Sequence, residues 1–146
     1  MTVRRTVVAR VLLIDGVLLI ILAFIHLLAT PVIQTWLNRE LTPEKLRNVS
    51  PPFFLDHIVV GLLLIPFGVS TLYSAVGVRA GQVWARAVAI TNAFSVMIMP
   101  LLVLLVMGPE YFSSTASVVA AASITMIGLS MFIPLLWLGS NADVPH

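Results

Sequence analysis

Four stretches of this chain, residues 11–33, 52–76, 83–107 and 114–138, are almost wholly apolar, and only one of the links between them is long. Each stretch is near the ~20 residues that a helix needs to cross the hydrocarbon core of a bilayer. Hydrocarbon offers no partner to an unpaired backbone amide, so such segments must be helical rather than open strands. The sequence therefore predicts an all-α integral membrane protein, a bundle of four transmembrane helices forming one domain over residues 1–146. Composition agrees: 10% of the residues are charged and 60% hydrophobic, where a soluble domain carries about 25% charged residues. So few charges could not cover a core with a solvated surface.

Charge placement predicts orientation. Arg4, Arg5 and Arg10 flank the start of the first span, and Arg79 and Arg86 bracket the second link, whereas the third link, MGPEYFSS, has no positive residue. By the positive-inside rule both termini are cytoplasmic, as expected for a bacterial-type inner (plasma) membrane. The first apolar run is longer than the 7–15 residues of a signal peptide, and a retained helix is expected.

The 34–51 link is expected on the outer side. Thr42-Pro43-Glu44 is a helix start, with a capping hydroxyl, a first-turn proline and an acid at the positive dipole end. Trp36, Leu37, Leu41 and Leu46 suit either a short interfacial helix or a connector with one helical turn. A further start is expected at Ser50-Pro51, opening the second span.

Small residues should mediate packing, because lipid gives helices no hydrophobic reason to associate. Ala85, Ala89 and Ala93 recur at i+4 in the third span, and Ser117, Ala121, Thr125 and Gly128 line the fourth. Pro66, Pro100 and Pro134 fall inside spans and are expected to kink them.

Ionisable groups at membrane depth are costly, and function is the first hypothesis for them. Asp15, His26, His57 and Arg86 are such groups. With the second span starting near residue 51, His57 lies about 9 Å below the outer end, and His26 about 10 Å below the same face, at 1.5 Å rise per residue. Positions eleven apart on a helix share a face. His57 thereby shares a stripe with Gly61 and Gly68, and His26 with Asp15, so both imidazoles are expected to point inward at one level. Asp15 and Arg86 have matching depths near the inner face and are expected to form a structural ion pair. Asn92, at mid-depth, is a candidate for interhelical hydrogen bonding.

Three readings of the histidine pair stand open. The imidazoles bind a cofactor or metal, with haem b, a chlorin pigment and a metal ion as candidates and Glu110 and Met107 as further metal ligands. They relay protons or hold the carbonyl of a quinone-like substrate. Or they are structural, each satisfying a carbonyl or side chain of a neighbouring helix. Asp56, at about 100° from His57 around the helix, reads as a helix-start acid rather than a ligand.

The chain has no cysteine, which excludes thiolate metal sites, disulfide chemistry and covalent c-type haem attachment. No phosphate loop, HExxH or GxSxG pattern occurs, so a hydrolase is not expected. Aromatic-interleaved basic runs are missing, which excludes nucleic acid as a partner. The hydropathy layout is similar to that of small four-span proteins such as the DoxX-like group; no residue motif accompanies it, and no residue role is taken from it. The leading functional expectation is a small polytopic subunit or accessory protein that packs in the bilayer with other membrane subunits or with copies of itself. A redox protein using His26 and His57, quinone-linked or otherwise, is the alternative, and an oligomeric transporter or channel is the third.

Overall fold

The computed structural model describes residues 3–109, 112 and 115–139, with the side chains of Val49, Pro52, Asp56, Met107 and Ala116 outside that description. Four helices follow one another: α1 (Val3–Glu40), α2 (Pro43–Arg79), α3 (Val83–Met107) and α4 (Thr115–Gly139). Each is long and apolar enough to cross a membrane.

α3 occupies the expected span, and α4 lies one residue later at each end. The first two helices differ from expectation. α1 has 38 residues and α2 37, against 25 in each of α3 and α4. At 1.5 Å per residue the first pair is about 18 Å longer. The expected long 34–51 link is in fact helical apart from Leu41 and Thr42. Thr42 is the extended residue before α2, followed by Pro43 and by Glu44 in the first turn. The expected second start at Ser50-Pro51 is absent, because α2 runs through it without a break. The upstream Thr-Pro-Glu signal initiates the helix, and Leu37, buried at 5% exposure near the end of α1, helps hold the extension.

The helices form a ring in which α1 packs on α2 and α4, and α3 packs on the same two. Glycines set the closest approach. A Cβ on Gly16 would lie 3.0 Å from the Gly68 carbonyl oxygen, and one on Gly68 would lie 2.8 Å from the Gly16 oxygen. The contact is therefore backbone to backbone. Gly61 meets Leu27 and His26, and Gly68 also meets Ile20. Rising numbers in α1 thus oppose falling numbers in α2, the register of an antiparallel pair.

The tight turn between α2 and α3 has its own glycine requirement. Gln82 N–H bonds the Gly77 oxygen and Gly81 N–H the Val78 oxygen, with Gly81 at φ 79°. This is the Schellman closure, which needs a left-handed residue after the helix. Ala85 sits directly on Gly77. Ala85, Ala89 and Ala93 are all fully buried, so the alanine ridge of α3 is a packing face. On α4, Gly128 admits the backbone of Met97, 3.0 Å from where a Cβ would stand. Pro31, Pro100 and Pro134 lie inside α1, α3 and α4.

Gly68→Leu is expected to lower bundle stability by about 1–3 kcal/mol, the usual cost of overpacking. Val119→Leu, at a position of α4 that is 58% exposed, should leave it unchanged. Reversible SDS unfolding in mixed micelles measures both.

Candidate functional site at the histidine pair

His57 stands one turn before Gly61 on α2, and the missing side chain at Gly61 lets α1 come in. A Cβ there would be 2.6 Å from a Leu27 methyl carbon and 3.3 Å from the His26 ring. As a result the two imidazoles meet, with centroids 3.8 Å apart and planes inclined by 28°. Phe53, one turn before His57, adds a nearly parallel ring at 6.2 Å. His57 is 8% exposed.

His57 Nε2 lies 2.8 Å from the His26 carbonyl oxygen. A carbonyl can only accept, so Nε2 carries the hydrogen and donates. That bond joins α2 to α1 at the level where the rings stack.

A haem or chlorin bound axially by both residues would need the two ring nitrogens aimed from opposite faces at one metal. Here the rings lie face to face at 3.8 Å, with no room for a macrocycle between them, and His57 Nε2 is already a donor. The cavity beside the pair has a volume of about 100 Å³ and is walled by all four helices. A cavity of about 150 Å³ holds only a benzene. The residues present do not fit a macrocycle. Among the described residues no group of three or more His, Asp or Glu side chains is arranged to hold a metal ion. Glu110 and the side chains of Met107 and Asp56 lie outside the described residues.

Asp15 and Arg86, expected as an ion pair, are not paired with each other. The Ser130 hydroxyl donates to Asp15 Oδ2 at 2.9 Å, while Arg86 Nε donates to the Leu135 carbonyl at 3.4 Å. Both groups reach α4, but at positions five residues apart, about 7 Å along its axis. The two groups therefore sit at different levels of the bundle, and each is satisfied by α4, Asp15 by a serine hydroxyl and Arg86 by a backbone carbonyl.

Asn92 does bridge helices. Its Nδ2 donates to Ser70 Oγ at 2.7 Å and to Thr71 Oγ1 at 3.1 Å. Both hydroxyls donate to the Phe67 carbonyl, at 3.1 and 2.7 Å. Every bond in this cluster has a donor and an acceptor in the right sense, and Thr71 and Ser74 are fully buried. At the end of the bundle that carries residue 3, the Arg4 guanidinium lies 4.8 Å from the Trp137 ring centroid, tying α1 to α4. The sequence gives no periodic signal for that contact.

Four interhelical hydrogen-bonded contacts among the described residues thus fall one on each interface of the ring. His57 joins α2 to α1, Asn92 joins α3 to α2, Arg86 joins α3 to α4, and Asp15 joins α1 to α4. The chain matches no known family model, no curated protein and no solved structure.

Asn92→Leu and His57→Phe each remove an interhelical donor while preserving bulk. Each is expected to cost about 0.6–2 kcal/mol, the range for hydrogen bonds between membrane helices. The same unfolding titration reads both, and an unchanged midpoint for Asn92→Leu would contradict the assigned bridge.

Proposed function

We propose that the protein is a small membrane subunit or accessory protein that assembles with other membrane-embedded chains. One observation carries this reading: the buried polar side chains of Asp15, His57 and Asn92, together with Arg86, each fasten one helix to the next around the ring. Polar groups at membrane depth are otherwise the first place to look for chemistry. Here they stabilise a scaffold. The outward sides of α3 and α4 support the same conclusion, since Ala87, Thr91, Ala122 and Ser123 are exposed there. Small and hydroxyl-bearing residues allow a neighbouring membrane helix to approach closely.

Arg4, Arg5, Arg10, Arg79 and Arg86 gather at the end of the bundle where α1 begins and α2 turns into α3. The positive-inside rule puts that end, with both termini, on the cytoplasmic side of a bacterial-type inner membrane. The His26/His57 level then lies toward the opposite face.

Mild purification from native membranes tests the assembly reading. The expected product is colourless and migrates with larger membrane polypeptides in native gels. A Soret or chlorin band that disappears in both His26→Ala and His57→Ala would overturn the reading in favour of a cofactor protein.

A further inference from the structure

The Ser130 hydroxyl stands between two oxygens. Its Oγ lies 2.9 Å from Asp15 Oδ2 on α1 and 2.9 Å from the Ile127 carbonyl oxygen of its own helix. A hydroxyl has a single hydrogen to donate and two lone pairs with which to accept, whereas a carbonyl oxygen and an ionised carboxylate only accept. With Asp15 ionised, the Ser130 hydrogen goes to Asp15, and Ser130 Oγ then faces the Ile127 oxygen with no hydrogen between them. With Asp15 protonated, a hydrogen is present in both contacts.

We infer that Asp15 is a proton-binding site on the α1–α4 seam, its carboxyl hydrogen donated to Ser130 Oγ and the Ser130 hydroxyl donating in turn to the Ile127 carbonyl. Loss of the proton turns the Ser130 hydrogen back to Asp15 Oδ2, so the contact between the helices reverses its sense without opening. The site goes beyond the assembly role and stands independently of it.

The length of the contact supports a neutral acid. Hydrogen bonds from O–H to a charged oxygen run about 2.5–2.7 Å, and neutral ones extend to about 3.0 Å. At 2.9 Å the Asp15–Ser130 contact falls in the neutral range. The surroundings agree. Asp15 is 4% exposed, and a buried charge is costly unless an opposite charge compensates it. α4, which carries Ser130, has no ionisable side chain. On α2, the other helix packed against α1, Gly68 and Leu72 oppose Gly16, the neighbour of Asp15. Of the ionisable groups on α2, Tyr73 is 68% exposed, Arg79 is exposed, and His57 donates to the His26 carbonyl. On α1 itself Arg10 is exposed, and the His26 ring is stacked on His57. Arg86 of α3 donates to the Leu135 carbonyl. A proton is thus the cation that suits Asp15. A hard metal ion would need about six oxygen ligands, and among the described residues no group of three or more His, Asp or Glu side chains is arranged to hold one.

The test is infrared spectroscopy on the full-length protein in lipid bilayers at neutral pH, with and without aspartate carrying ¹³C in its side-chain carboxyl. A protonated carboxyl shows a C=O stretch separate from the bands of a carboxylate. The expected spectrum contains that stretch, moved to lower frequency by the ¹³C label and missing from Asp15→Asn. The asparagine amide can donate to Ser130 as the acid does, so this variant should keep the helical circular dichroism of the unmodified protein. Ser130→Ala removes the acceptor and should move the stretch to higher frequency while retaining it. That shift identifies Asp15 even where Asp15→Asn does not fold. Exchanging choline chloride for sodium chloride in the buffer should leave the stretch in place. A folded protein with no C=O stretch that responds to the ¹³C label would overturn the site, as would a stretch that persists unchanged in folded Asp15→Asn. A stretch unmoved by Ser130→Ala would overturn Ser130 as its acceptor, and one lost in sodium would assign the site to the metal ion instead. None of these results depends on whether the protein travels with partners, so failure here and failure of the assembly reading are separable.

Discussion

Two glycines in backbone contact, Gly16 on α1 and Gly68 on α2, fix how the longest helix pair is registered. With each carbonyl 3.0 Å or less from where the other's Cβ would stand, neither position accepts a side chain without moving a helix. Association in lipid depends on such close approach, because apolar burial gives no advantage there. Once Gly16 opposes Gly68, the antiparallel geometry brings residue 26 to the level of residues 57 and 61. The imidazole stack and the bond from His57 to the His26 carbonyl follow from that register.

The polar contacts act on this frame in a second way. Glycine and alanine contacts allow helices to come close, but they discriminate poorly between neighbouring registers. A hydrogen bond does better, since a slipped register leaves a buried donor or acceptor without a partner. One such contact on each of the four interfaces specifies the whole ring. The Asn92 cluster illustrates the economy of the arrangement. Ser70 and Thr71 already donate to the Phe67 carbonyl within their own helix, and their remaining lone pairs accept from Asn92 across the interface.

The all-helical fold, with four helices long and apolar enough to span a membrane, was largely legible in the sequence, because apolar runs of about 20 residues point to helices of that length. The ends of α3 and α4 and the burial of Ala85, Ala89 and Ala93 followed from hydropathy and i+4 spacing alone. The meeting of His26 and His57 followed from counting depth and direction, with Gly61 and Gly68 marking the contact face. The extent of α1 and α2 did not follow. Two competing start signals, Thr42-Pro43 and Ser50-Pro51, stood eight residues apart, and the choice between them depends on packing that includes Leu37. The partners of Asp15 and Arg86 were missed for a related reason: a charge was matched only to another charge, while the structure uses a serine hydroxyl and a backbone carbonyl. The cavity was not legible at all, since it depends on how four helices leave space near Pro100 and Ala121.

The placement of one imidazole against the other is open to a direct check, because the chain contains only three histidines, His26, His57 and His146. Solid-state NMR on protein carrying ¹³C,¹⁵N-histidine, reconstituted in lipid bilayers, reads the ring-to-ring contact through space. A cross-peak between the His26 and His57 rings, together with a protonated Nε2 on His57, is the predicted result. Absence of that cross-peak in a folded sample would contradict the register of α1 against α2 and the bond and site built on it.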